Sequence, residues 1–378
     1  MDFRLSEEQQ QFSDSLRRWI EKDYAFEARQ KIIHSETGTS APAYAALAEL
    51  GALALAVPED AGGMGGSSED LMIVMKEIGR GLVVEPYFAT VLAAEFLKLG
   101  GAHPALLERV ATGDLKLACA LSENGSDHEL SNIGTLARQD GDGFLLDGAK
   151  CAVVHGGQAE GFVVSVRTSG EQRDHAGITL LYVPRNAPGL AVTDYRTFDG
   201  QRGADLRFEK VRVAASDAIG PVGQGWEILE AVTDFGVALL CAEAVGAIEA
   251  ANALTLDYLK TRKQFGVPIG TFQVLQHRMA DMYIHQEQAR SITTLAAVKV
   301  QTASAAERRK LVSAAKVRVG KALKFVGQQA VQMHGGMGMT NEMSISHYFK
   351  RLTAIEMTLG NTDFHRSRFI SQPEFAAH

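Results

Sequence analysis

Three side chains in the run KTRKQFGVPIGTFQVLQ, residues 260–276, have the types and spacing to hold a phosphate. Arg262 brings a guanidinium, Phe265 an aromatic ring and Gln273 an amide into one short connection. The pattern around them predicts a helix ending at Tyr258–Arg262, a turn at Pro268-x-Gly270, and a new helix opening at Phe272-Gln273. The first turn of any helix leaves backbone N–H groups unpaired. Beside an arginine, which makes bidentate charged contacts, those donors suit a phosphate. Taken alone, the same residues equally describe a helix hairpin with Arg262 on the surface.

A second stretch with chemical possibilities is QQAVQMHGGMGMT, Gln328–Thr340. Its glycines follow a helical segment rather than a strand, which excludes the dinucleotide-binding G-x-G-x-x-G reading. By itself Gly335-Gly336 is a helix end and a turn. The glycine-rich Pro58–Gly66 lacks the lysine and spacing of a phosphate loop and reads as a flexible loop. Glu243 is a carboxylate at the end of the apolar run 237–242, a setting that suits a proton acceptor, although a buried pair with an arginine is the commoner arrangement.

The elements that must position these groups fall into three blocks. Residues 1–115 read as helices: Ser6 with Gln9 forms a capping box, and Phe12, Leu16, Trp19 and Ile20 recur at helical spacing. Between 116 and 222 the period becomes alternating. Runs at 144–146, 161–166, 178–183 and 206–213 are bounded by turn residues, with Asp140-Gly141-Asp142-Gly143 the clearest turn, so an antiparallel β domain of sandwich or barrel type is expected. From 223 to 378 the segments 226–262, 272–301, 305–334 and 344–370 predict a four-helix bundle. The class is α+β, not a doubly wound parallel sheet.

At 378 residues the chain is long enough for two or three domains, and its net charge of −7 argues against a nucleic-acid partner. The start, MDFRLSEEQQ, has no charged-then-apolar leader, and no window approaches the roughly 18 apolar residues of a membrane span, so a cytoplasmic protein away from membranes is expected. Cys119, Cys151 and Cys241 stand apart without a CxxC and read as reduced thiols. Paired E-x-x-H motifs for a di-iron bundle are missing, and no metal site is expected.

The run R-x-x-F-G-x-x-x-x-x-F-Q, with Q-x-x-G-G-x-G about sixty residues later, resembles the flavin-holding signature of the acyl-CoA dehydrogenase family, and the order helices, β domain, helices is similar to it along nearly the whole chain. The resemblance implies FAD as cofactor, with Arg262, Phe265, Gln273, Gln332, Gly335 and Gly336 holding it across a subunit contact. It further implies an acyl-CoA substrate, desaturated between the α and β carbons, and a soluble acceptor of the electron-transfer flavoprotein kind. ACALSENGSD, Ala118–Asp127, resembles the family's T-E-P-x-x-G-S-D loop but is two residues shorter; Leu121 and Ser122 would meet the flavin and Ser126 the thioester. Asp234 matches a position near the CoA moiety.

Departures from the family concern the chemistry. After Lys150 the chain has Ala152 and Val154 where the family usually carries a tryptophan and a threonine. Removing the α-proton needs a carboxylate, yet the usual base position before Gly360 is Leu359, and the alternative on the first long helix of the last domain is Gly236. Glu243, two turns along that helix, is the remaining catalytic candidate, with Glu356 and Asp363 behind it. The wording EAVGAIEAANALTLDYLKTRKQFGVPIGTFQVLQHRMADMY is similar to the small subunit of pimeloyl-CoA dehydrogenase-type enzymes. Relatives of that kind pair two different chains, only one with a base, so both a homo-oligomeric dehydrogenase and a non-catalytic partner subunit are implied.

Overall fold

The capping box forms as its spacing requires. In the computed structural model, which describes residues 5–372 and 375, Ser6 N–H donates to Gln9 Oε1 (3.0 Å) and Gln9 N–H to Ser6 Oγ (3.1 Å). Met1–Arg4 lie outside the described residues. Helix α1 (Glu7–Asp23) buries Leu16 and Ile20, and α2 (Phe26–Ile33), α3 (Ala41–Glu49), α4 (Ser68–Gly81), α5 (Tyr87–Leu99) and α6 (Pro104–Ala111) follow. The expectation of a flexible loop at Pro58–Gly66 is corrected. The N–H groups of Gly63, Met64, Gly65 and Gly66 bond the carbonyls of Pro58, Ala54, Val57 and Leu55 at 2.8–3.0 Å. A Cβ on Gly63 would lie 2.0 Å from the Val57 carbonyl oxygen, so glycine here permits a tight fold-back rather than looseness.

The sheet strands among the described residues are β1 (Leu117–Ala120), β2 (Leu136–Asp140), β3 (Gly143–Val154), β4 (Gly161–Arg167), β5 (Ile178–Pro184), β6 (Leu190–Arg196), β7 (Arg202–Ala214) and β8 (Ala218–Ile219). They form one sheet in the order β6-β7-β3-β2-β4-β5-β8, with β1 beside β4. Asp140 pairs with Gly143 across the turn read from the sequence. The sheet is not wholly antiparallel as expected: β1 runs parallel to β4, because the intervening β2–β3 hairpin and loops are long enough for a crossover. Apolar residues of alternate register, among them Phe144, Leu146, Phe162, Val164, Leu206 and Phe208, fill its core.

Helix α7 (Trp226–Thr261) leads to a small hairpin, β9 (Lys263–Gln264) with β10 (Val267–Pro268), and then to α8 (Gln273–Lys299), α9 (Ala305–His334), α10 (Ser344–Met357) and α11 (Thr362–Ile370). The fourth bundle segment, 344–370, is therefore two helices. The chain breaks between them because Leu359 (φ 53°) and Gly360 (φ 99°) are left-handed, which stops a right-handed helix. The view that no segment is apolar enough to span a membrane is also corrected. By length and composition α7 is, but 94% of its apolar window is buried within the protein, as in the core helix of a bundle.

Two compact units result. One takes residues up to Gln30, Ser68–Val83 and those from Val237 on; the other takes Lys31–Ser67 and Val84–Gly236, the sheet included. In the helical unit α4 and α7 touch backbone to backbone: a Cβ on Gly246 would lie 1.8 Å from the Lys76 carbonyl oxygen, and one on Gly79 would lie 1.9 Å from that of Glu243.

Candidate functional site

Between α7 and α8 the chain makes the β9–β10 hairpin rather than the single turn its sequence suggests. Phe265 (φ 54°) and Gly266 (φ 83°) close it, both in the left-handed region that matches a two-residue hairpin to strand twist. The Ile269 N–H bonds the Arg262 carbonyl (2.9 Å) and fixes the hairpin's base. Phe265 is 90% exposed, edge-on to Phe272 at 6.1 Å. Arg262 is exposed, and its guanidinium takes no partner among the described residues. Gln273 opens α8, whose N-cap Phe272 provides no side-chain cap; Leu275 and Gln276 N–H bond the Phe272 carbonyl, and the N–H groups of Gln273 and Val274 stay available.

The glycine stretch lies at the same end of the helical unit. Tyr258, in the last turn of α7, stacks on His334 with ring centroids 4.3 Å apart, and its hydroxyl donates to the His334 carbonyl (3.4 Å). His334 Nδ1–H donates to the Ala330 carbonyl (2.8 Å), and burial pushes the imidazole below its ordinary range, which keeps it neutral for stacking. One residue on, Gly335 (φ 61°) ends α9, and nothing lies within 4 Å of where a Cβ on Gly335 or Gly336 would sit. Gln332 is exposed on the last turn of α9. An arginine with its guanidinium open, free helix-start N–H groups and open backbone at two glycines are what a diphosphate requires.

The loop with Leu121, Ser122 and Ser126 belongs to the other unit. Leu121 and Ser126 are buried, and Ser122, which is exposed, accepts the Cys151 N–H at its carbonyl (2.9 Å). What shapes the loop is Glu123, which the sequence did not single out. Its carboxylate accepts from Lys150 Nζ (2.7 Å) and from the N–H groups of Gly134 (2.8 Å) and Thr135 (3.0 Å). Burial pushes Glu123 up, but the Lys150 ammonium and these hydrogen bonds outweigh it and leave the carboxyl below its ordinary value. Burial likewise lowers Lys150, whose ammonium also reaches Ser165 Oγ (3.1 Å). Next to the pair opens a cavity of about 410 Å³ lined by Cys151, Thr193, Asp205 and Arg207. Ala152, at the β3 bulge, has φ 53°. Asp234 is buried in α7.

As a base, Glu243 is closed off. Arg351 grips both its oxygens, Nε to Oε1 at 2.5 Å and Nη2 to Oε2 at 2.8 Å, with side chains 2% and 8% exposed for the glutamate and the arginine. Gly236 is buried and Leu359 half-buried, and neither carries a carboxylate. Asp363 is exposed and paired with Arg366 (2.9 Å), while Glu356 Oε1 accepts the Thr362 N–H (2.9 Å).

Sequence and structure comparisons decide the family. Its models for the acyl-CoA dehydrogenase N-terminal, middle and C-terminal domains match residues 6–103, 118–211 and 223–372. The chain belongs to the acyl-CoA dehydrogenase family. It is 30% identical over 327 residues to the human mitochondrial short-chain specific acyl-CoA dehydrogenase, covering 84% of this chain and 78% of that one. Among solved structures, a variant of the Tcur3481-Tcur3483 steroid ACAD superposes with a TM-score of 0.89 at 28% identity, covering 98% of this chain and 99% of that one. The ChsE4-ChsE5 complex of Mycobacterium tuberculosis matches with a TM-score of 0.89 at 25% identity, over 100% of both. FAD is the cofactor of this family, and the open glycine backbone with the exposed Arg262 guanidinium fits its diphosphate.

Proposed function

We propose that this acyl-CoA dehydrogenase family chain is the supporting subunit of a heteromeric enzyme, holding FAD phosphates while a sister chain supplies the base. The observation that carries the reading is the closure of Glu243 on Arg351 in a chain with leucine at 359 and glycine at 236. A carboxylate held at both oxygens by a buried guanidinium is not free to take a proton from carbon. The chemistry that bound FAD would supply is a hydride acceptor for the β-carbon of the thioester. Arg262, Gln273 and Gln332 would hold its diphosphate, with Gly335 and Gly336 letting the backbone approach. Ser122 and Ser126 lie on a loop stiffened by the Glu123–Lys150 pair, and such a loop can offer fixed donors to a thioester oxygen.

The likeness to two solved structures whose names pair two chains supports a hetero-oligomer. A dicarboxylyl or bulky acyl group is the substrate class we infer, with an electron-transfer flavoprotein as acceptor in the cytoplasm. The test is the visible spectrum of the purified chain before and after anaerobic addition of mixed acyl-CoAs, alone and with its co-purifying partner. Bleaching only in the partner's presence is expected. Full bleaching by this chain alone would overturn the reading.

A further inference from the structure

The link between α10 and α11 is tighter than a connection between two helices needs to be. Lys316, on α9, buries its whole side chain and donates from Nζ to the carbonyls of Ile355 (2.6 Å) and Thr358 (2.7 Å), two of the orphan acceptors at the end of α10. His365 Nε2 bonds the Leu359 carbonyl (2.9 Å), and since a carbonyl only accepts, that nitrogen carries the proton. Asn361 caps α11 through the Phe364 N–H (2.8 Å). On the α9 side Gly320 leaves no slack: a Cβ there would lie 2.2 Å from Thr362 Oγ1 and 2.6 Å from Glu356 Oε2.

Within this clamp Leu359 holds a φ of 53°. The left-handed position after a helix is usually glycine, because a side chain there is strained. Strain that persists is over-determined by its surroundings, and here it fixes the direction in which residue 359 leaves the backbone. Stability alone does not account for the lysine. Burial pushes it down to about 8, so its charge opposes folding at neutral pH. Cys241 and Glu243 of α7 and Arg351 and Glu356 of α10 are the charged or titratable groups acting on it. Glu243 is committed to Arg351, which leaves the two carbonyls as the ammonium's direct acceptors among the described residues.

We propose that Lys316 is a positioning residue: by sharing its ammonium between the Ile355 and Thr358 carbonyls it sets the backbone that presents residue 359. The link with the acyl group rests on the functional reading above; the positioning itself does not. In this chain the residue so presented is a leucine.

The experiment is amide hydrogen exchange on the full chain with FAD and its partner, comparing wild type, Lys316→Met and Lys316→Gln. Losing both hydrogen bonds in Lys316→Met should speed exchange at 359–362 by roughly tenfold or more. The glutamine variant, which keeps a donor without the charge, should restore part of the protection and decides the matter if the methionine variant does not fold. Unchanged exchange at 359–362, or protection lost evenly along α9, α10 and α11, would overturn the proposal. In a second arm, measured against the wild-type complex, whose partner base exchanges the same proton, Leu359→Glu should raise the rate at which solvent deuterium enters the α-carbon of an acyl-CoA. Adding Lys316→Met should slow that entry without changing the acyl-CoA concentration at half-maximal rate. No added deuterium entry in Leu359→Glu with the amide result intact would cut the link between residue 359 and the acyl group and leave the positioning standing; equal rates with and without Lys316→Met would overturn the positioning.

Discussion

Replacing Arg351 by methionine leaves the Glu243 carboxylate buried, 2% exposed, without the guanidinium that meets both its oxygens at 2.5 and 2.8 Å. Removing one partner of a buried pair costs about 3–5 kcal/mol, because the remaining charge keeps its desolvation penalty. For a cooperative unit of this size each kcal/mol lowers the melting temperature by about 2–4 °C, so a fall on the order of 10 °C is expected. Glu243→Gln should be milder at the site, since the amide oxygen can still accept from Arg351, and the double replacement by two apolar residues should recover much of the loss. Calorimetry of the three variants at pH 7 reads the stability. Flavin bleaching with the partner present reads the chemistry: Glu243→Gln should retain it within a few fold, whereas loss of a general base would slow it by about 100-fold or more. A melting temperature for Arg351→Met within ~2 °C of wild type, by the scale of about 2–4 °C per kcal/mol, would refute the energetic reasoning. Abolished bleaching in a folded Glu243→Gln would refute the structural role.

Arg262→Met should weaken FAD retention by roughly 10–100-fold, the loss of one charge-assisted contact, and equilibrium dialysis of the assembled protein measures it. Lys316 makes stability depend on pH in a definite direction. Its folded value of about 8 lies below the ordinary 10.5, so the unfolded chain holds more protons between those values and stability rises with pH across that window. At about 1.4 kcal/mol per unit, the penalty complete below pH 8 is about 3 kcal/mol, and Lys316→Met should remove this rise from denaturant titrations run at successive pH values. For Glu123, whose carboxyl is depressed, the sign reverses: the contribution is present above the ordinary carboxylate value and lost as pH falls below it. Lys150→Met should therefore flatten the acid limb of the sheet unit's unfolding, followed by tryptophan fluorescence, while lowering its stability at pH 7.

Local chemistry was legible where the determining groups are near in sequence. The Ser6/Gln9 box needs atoms three residues apart, and the Asp140–Gly143 turn needs only residues that tolerate positive φ. The hairpin at Phe265-Gly266 was partly hidden, because phenylalanine is an uncommon choice for a left-handed position. Lys316 did leave a trace: it falls on the buried phase of α9 with Val312, Val319 and Leu323, where a lysine is unusual. Glu123 with Lys150 left none, since their 27-residue separation is closed only by strand pairing.

The sequence by itself determined the helix, sheet and helix order and the lack of a carboxylate at 359 and 236, because periodicity, turn chemistry and residue identity are properties of the chain alone. Only the tertiary structure decided what Glu243 does. An apolar run marks it as buried, but whether a buried carboxylate is a free base or half of an ion pair depends on what faces it. Here Arg351 arrives 108 residues later on another helix, at a distance that no local pattern encodes.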